Sequence, residues 1–161
     1  MNIVDSSGWL EYFAGGANAK YFGGPLEDTA SLIVPVITIY EVFKVVLRQR
    51  GENEALQAVA AMQKGEVCDL TSATALSAAR ISLGQKLPMA DSIILAAAQL
   101  HDATIWTQDI DFKGLPKVEY VPYAVTRRRS SVGVSPTRQR SLQPVAIGAA
   151  VAVTKPLKSL M

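Results

Sequence analysis

The chain alternates between short unbroken apolar runs and longer stretches in which apolar residues return every three or four positions. The short runs, Asn2–Asp5, Leu32–Val34, Glu66–Leu70, Thr104–Gln108 and Val118–Val121, read as strands; those without alternation suit strands covered on both faces. The first helix is expected over Gly8–Phe13, with Ser6 or Ser7 as its cap and Gly15-Gly16 as its end. A second short helix is expected over Ala17–Phe22, broken by Gly23-Gly24-Pro25. Thr38 is placed to cap a helix whose Ile39, Val42, Phe43, Val46 and Leu47 share one face, and Gly51 stops it. Further helices are expected from Glu52 to Gln63, from Ser72 or Thr74 to Leu83, and from Pro88, as first helical residue, to Leu100. Strands that alternate with helices predict an α/β fold: a mostly parallel sheet flanked on both sides. In such folds the active site forms beyond the carboxyl ends of the strands, where Asp5 and Asp109 stand.

Composition narrows the class without changing that picture. The chain has 161 residues, 49% apolar and 19% charged, enough for one globular domain with its own core. No run of 18 apolar residues predicts a membrane span, and no basic-then-apolar leader predicts secretion. A single cysteine, Cys68, has no intramolecular partner, so a cytoplasmic protein is expected.

Charge divides the chain in two. Residues 1–123 carry nine basic and 14 acidic residues, a balance of −5, whereas 124–161 carry seven basic residues and no acid. The expected domain is therefore 1–123, with 124–161 a poorly ordered basic extension. Two other readings of the extension stand beside that one. Arg127-Arg128-Arg129 with Arg138 and Arg140 suit an arm that tracks phosphates, and Val145–Val153 suits a strand added to a sheet edge.

Asp5, Glu41, Asp91 and Asp109 fall at or near the ends of predicted elements. Each has a bland explanation: Asp5 as a helix cap, Asp91 as a dipole partner in a first helical turn, Asp109 as a turn former. Glu41, with Lys44 and Arg48 three and seven residues on, suits a solvated, ion-paired helix face. Taken together the four suit one cleft, and converged carboxylates call for hard divalent cations such as Mg²⁺ or Mn²⁺. No matching set of His and Cys would suit zinc.

Val4-Asp5-Ser6-Ser7, Tyr40-Glu41-Val42, Leu87-Pro88-Met89-Ala90-Asp91-Ser92 and Thr107-Gln108-Asp109-Ile110-Asp111-Phe112 resemble, in order, the acidic motifs of PIN-domain ribonucleases. The resemblance is nearest to the VapC-type toxins of bacterial toxin–antitoxin pairs. It covers residues 1 to about 122 and leaves the extension outside. It implies a three-layer α/β/α fold and an endoribonuclease holding one or two Mg²⁺ or Mn²⁺ ions, which leaves 5′-phosphate and 3′-hydroxyl ends. Asp5, Glu41, Asp91 and Asp109 match the acidic quartet, with Asp5, Asp91 and Asp109 as metal ligands and Glu41 as ligand or water-positioning group. Asp111 matches a further acid that binds metal through water, and Ser6 and Thr107 match hydroxyl residues that orient the ligands. The partners implied are an RNA substrate, a cognate antitoxin and a second copy in a homodimer.

Around an acidic cleft, RNA needs cations, for which Lys44, Arg48 and Lys86 are the candidates. Two rival readings remain. A PIN-like RNA-binding or scaffold module would keep the fold without catalysis. A metal-dependent phosphatase with an aspartate nucleophile would favour a second Asp two residues after Asp5, where this chain has Ser7. Cys68 is expected buried and inert, His101 a helix-end residue, and Trp9, Tyr12 and Phe13 core or interface residues.

Overall fold

The computed structural model describes residues 1–124. The expectations for the extension, including its boundary, Arg127–Arg129, Arg138, Arg140 and the Val145–Val153 strand, lie outside the described residues.

Five strands, β1 (Asn2–Val4), β2 (Leu32–Pro35), β3 (Glu66–Cys68), β4 (Thr104–Thr107) and β5 (Val118–Tyr120), form one sheet in the order β3-β2-β1-β4-β5. Every neighbouring pair is parallel. The helices are α1 (Ser6–Ala14), α2 (Ala19–Glu27), α3 (Val36–Arg50), α4 (Glu52–Met62), α5 (Ser72–Gln85) and α6 (Met89–Leu100). A 3₁₀ turn, Ile110–Phe112, follows β4.

Alternation along the strands supplies both cores. Val4, Leu32 and Val34 pack with Trp9, Phe22, Val42 and Met62 on one face. Ile3, Ile33 and Ile105 pack with Ile94, Leu95 and Phe112 on the other. The chain steps outward from β1 to β2 to β3, then crosses back to β4 on the far side of β1. Right-handed crossovers running in opposite directions put their helices on opposite faces, which gives the α/β/α layering. The reversal also makes β1 and β4 neighbours at a switch point, the place in such sheets where a crevice opens beyond the carboxyl ends.

Several local expectations need correction. Gly23-Gly24-Pro25 does not break the chain: all three residues lie inside α2, which begins at Ala19 and runs to Glu27. Burial of Phe22, Pro25 and Leu26 holds that turn helical and overrides the weak propensity of its residues. The cap of α1 is Asp5, not Ser6 or Ser7; its carboxylate accepts from Gly8 N. Thr38 does not cap α3, because Pro35 passes directly from extended strand into a helix that starts two residues earlier. Thr38 is instead fully buried, its hydroxyl without a hydrogen-bond partner among the described residues. Thr71, through its acceptance from Thr74 N, caps α5 in place of Ser72 or Thr74. Pro88 stands at the N-cap of α6 rather than at its first helical residue.

Cys68 is only half-buried, because β3 is an edge strand; its Sγ lies 3.2 Å from Nε2 of His101, at the end of α6. Trp9 is buried in the first core, and Tyr12 and Phe13 pack against it. Among the described residues, no helix is long and apolar enough to cross a membrane.

Candidate active site

The carboxyl end of β1 delivers Asp5 to the switch point. The backbone N–H of Asp5 donates to the carbonyl of Trp106 at 3.1 Å, extending the β1–β4 ladder and setting Asp5 beside Thr107. Asp5 is 3% exposed, and its carboxylate is bonded on both oxygens. Oδ1 accepts from Ser7 Oγ at 2.7 Å and from Gly8 N at 3.0 Å. Oδ2 accepts from Thr107 Oγ1 at 2.8 Å. Thr107 Oγ1 in turn accepts from Asp109 N at 2.8 Å, so one buried hydroxyl ties the Asp5 carboxylate to the backbone that carries Asp109.

Asp109 caps the 3₁₀ turn, its Oδ1 accepting from Asp111 N at 3.0 Å. Asp91 occupies the first turn of α6 and is half-buried. Thus Asp5, Asp91 and Asp109 each stand at the start of a helical segment. There the unpaired N–H groups and, for the longer helices, the macrodipole reduce the cost of gathering negative charge. Glu41 comes from the second turn of α3 and is partly buried.

The charges of these groups act on one another. Burial, followed by the charges of Asp109, Glu41, Asp5 and Asp111, pushes the Asp91 carboxyl up to about 7. Burial likewise pushes Asp5 up to about 6, against the opposing hydrogen bonds from Ser7, Gly8 and Thr107, with Asp109 adding a smaller rise. No Lys, Arg or His side chain among the described residues offsets the rise at either carboxyl. Among the described residues the one ion pair is Lys117 with Asp102, neither of them in the quartet, and the Glu41 pairing with Lys44 or Arg48 is not formed. Lys44 and Arg48 are both exposed on α3, and Lys44 Nζ lies 5.1 Å from the centroid of the Tyr40 ring. Lys86 is exposed at the C-cap of α5, two residues before Pro88.

Among the described residues, no three acidic, His or Cys side chains already form a cage around one point. The donor set nevertheless has the chemistry of a hard-cation site, all of it carboxylate oxygen. Asp5 Oδ2, with a single hydrogen bond, keeps a lone pair for a further partner.

Sequence reasoning missed several members of this arrangement. Ser6, half-buried at the start of α1, makes no side-chain hydrogen bond among the described residues; the adjacent Ser7 holds Asp5. Gln108, 2% exposed, donates its N–H to Ser7 Oγ and its Nε2 to Ser7 O, both at 3.2 Å. Asn18 Nδ2 donates to Gln108 Oε1 and to Pro122 O, each at 3.0 Å. This clamp joins the loop before α2, the end of β4 and the segment after β5. Its bonds cross up to 104 residues of sequence and leave no local signal. For Ser7 a signal exists: a hydroxyl two residues after a strand-ending Asp can reach back to that carboxylate.

The fold has relatives among solved structures. A toxin–antitoxin complex from Klebsiella pneumoniae matches with 25% identity and a TM-score of 0.63, over 78% of this chain and 100% of that one. VapC20 from Mycobacterium tuberculosis, a sarcin–ricin loop cleaving toxin, matches with 18% identity and a TM-score of 0.63, over 76% and 100%. VapBC2 from Rickettsia felis, solved bound to a promoter DNA fragment, matches with 17% identity and a TM-score of 0.59, over 76% and 98%. Among proteins of curated function the search gave no match. The sequence profile of the PIN domain matches residues 3–118, which spans β1 to the start of β5 and takes in all four acids of the quartet. With five parallel strands between two helical layers and its acids at the switch point, this chain belongs to the PIN domain family.

Proposed function

We propose that the protein is a divalent-metal-dependent endoribonuclease and the toxin of a toxin–antitoxin pair. The observation that carries the reading is the gathering around Asp91: beside its burial, the charges of Asp109, Glu41, Asp5 and Asp111 raise its carboxyl, from three separate stretches of chain. Such a gathering is costly in a metal-free fold, and a divalent ion turns the cost into affinity. Asp5, Asp91 and Asp109 are the ligands, Asp111 acts through a water, and Glu41 is a ligand or positions the attacking water. Ser7 and Thr107 hold Asp5 so that Oδ2 keeps its free lone pair.

When bound, Mg²⁺ or Mn²⁺, as one ion or two, supplies a water of lowered pKa and charge stabilisation on the leaving oxygen. Glu41 would accept a hydrogen bond from the attacking water and so turn its lone pair toward phosphorus, and the departing 3′-oxygen would take up a proton from solvent. The products are a 5′-phosphate and a 3′-hydroxyl. Lys44, Arg48 and Lys86 offset the acidic field for the RNA backbone.

The antitoxin assignment draws on the Klebsiella relative, which is itself a toxin–antitoxin complex, and on the VapBC2 structure with promoter DNA. A homodimer is part of the same reading. Exposed apolar residues on α3 and α4, Tyr40, Leu47 and Leu56, offer surface for either contact.

The test is RNA cleavage by the purified chain with Mg²⁺ or Mn²⁺, with mapping of the new ends. Cutting is expected to stop on chelation and in both Asp5→Asn and Asp91→Asn. Cutting that persists in EDTA, or at the parent rate in both variants, contradicts the reading. Tight RNA binding without any metal-stimulated cutting favours the non-catalytic module instead.

A further inference from the structure

The segment after β5 is tied to the acidic end of the sheet by a chain of hydrogen bonds. Val121 N donates to Thr107 O at 3.0 Å, which carries the β5 strand line on past the residue that bonds Asp5. The next residue, Pro122, is held by Asn18 Nδ2, whose other partner, Gln108, is bonded to Ser7. Tyr123 follows, and its phenol is close enough to feel the Ser7 hydroxyl and the charges of Asp5, Asp109 and Glu11. Partial burial of the phenol and those three charges raise its pKa, while the Ser7 hydroxyl opposes the rise. The residue is nevertheless 59% exposed, so much of the side chain is open to solvent.

An open aromatic ring fixed by its backbone at the rim of an acidic site has few suitable ligands. Away from a bound cation, phosphate is repelled there by Asp5, Asp109 and Glu11. A nucleobase is not, because its π-face is neutral and gains from stacking whatever its identity. Tyr40, the comparably exposed tyrosine beside Glu41, is less suited, since Lys44 already covers its ring at 5.1 Å.

We infer that Tyr123 is a stacking platform for an unpaired base next to the scissile phosphate, held in place by the Asn18–Gln108 clamp. The inference rests on the ribonuclease reading for the direction of the strand, but base stacking on Tyr123 can be read without cleavage. It makes the site selective for single-stranded or looped RNA, because a paired base presents no free face.

Fluorescence anisotropy of a labelled single-stranded RNA decamer, with Ca²⁺ in place of Mg²⁺, measures the effect. Tyr123→Ala is expected to weaken binding roughly five- to a hundredfold, the range of one lost base stack. Tyr123→Phe keeps most of the affinity, and Tyr123→Leu loses it as Ala does. A 2-aminopurine reporter in the strand loses its stacking quench in the Ala variant. Affinity for a fully paired duplex of equal length is expected to ignore all three changes. Equal single-strand affinity in the parent and in Tyr123→Ala overturns the platform, even if the parent cuts RNA. Loss in Tyr123→Ala alongside a parent that binds but never cuts keeps the platform and removes the ribonuclease reading. No single-strand binding by the parent overturns both.

Discussion

At the scale of single residues, Asp5 and Asp91 are both raised carboxyls, but the fold treats them differently. Asp5 accepts three hydrogen bonds, from Ser7, Gly8 and Thr107. In Asp5→Asn the amide NH₂ must face one of those donors, so this variant loses stability as well as activity. Asp91 is raised by burial and by four neighbouring acids, so Asp91→Asn removes repulsion. A carboxyl raised in the fold holds its proton more tightly there than in the unfolded chain. The metal-free protein therefore loses stability as pH rises from the ordinary carboxyl range through about 6 for Asp5 and about 7 for Asp91. Thermal unfolding in EDTA is expected to show a higher midpoint at pH 5 than at pH 7.5, with Asp91→Asn reducing the difference and raising the midpoint at pH 7.5. A midpoint that climbs steadily from pH 5 to 7.5 would contradict the shared acidic locality. Thr107→Val removes both the donor to Asp5 and the acceptor of Asp109 N. It is expected to cost about 1–3 kcal/mol of stability and about 10- to 100-fold in cleavage rate, read by denaturant melts and initial rates. Legibility followed chain distance here. The four acids stand out because each lies at or near the end of an element, whereas Asn18 and Gln108 meet across 90 residues and look like ordinary loop amides.

At the scale of elements, the strands were readable because their β-rich apolar runs are short and sharply bounded, and the sheet buries both faces of its centre. Helix starts were less readable. Pro35 and Thr71 take the cap positions that neighbouring hydroxyl residues appeared suited to fill, because cap choice depends on where the preceding strand or loop releases the chain. α2 misled for a different reason: Gly and Pro are weak helix formers alone, but Phe22, Pro25 and Leu26 bury together. Two glycine substitutions test that account. Gly24 is helical, exposed and without atoms within 4 Å of a built Cβ, so Gly24→Ala is expected to stabilise the protein by about 0.5–1 kcal/mol. At Gly8 a Cβ would sit 2.6 Å from Val4 Cγ1 and 2.8 Å from the Phe22 ring. Gly8→Ala is expected to cost about 1–3 kcal/mol and to shift the Gly8 N–H bond to Asp5, so that chemical denaturation and cleavage both register it.

At the scale of the whole molecule, the reversal of chain direction between β3 and β4 does two things at once. It places the helices on opposite faces and opens the crevice beyond the ends of two adjacent strands, where Asp5 and Asp109 are joined through the Thr107 hydroxyl. Both described cores draw on residues between Ile3 and Val121. A chain truncated after Ala124 is therefore expected to keep a cooperative unfolding transition with the parent midpoint, read by circular dichroism. The account as a whole stands on the acids acting as one cation site. Calorimetric titration of Mn²⁺ into the parent and into Asp91→Asn, at pH 7.5 after chelation, measures that directly. Saturable uptake by the parent, with affinity lost in the variant, is the expected result; a parent that takes up no Mn²⁺, or a variant that binds it equally well, would contradict it.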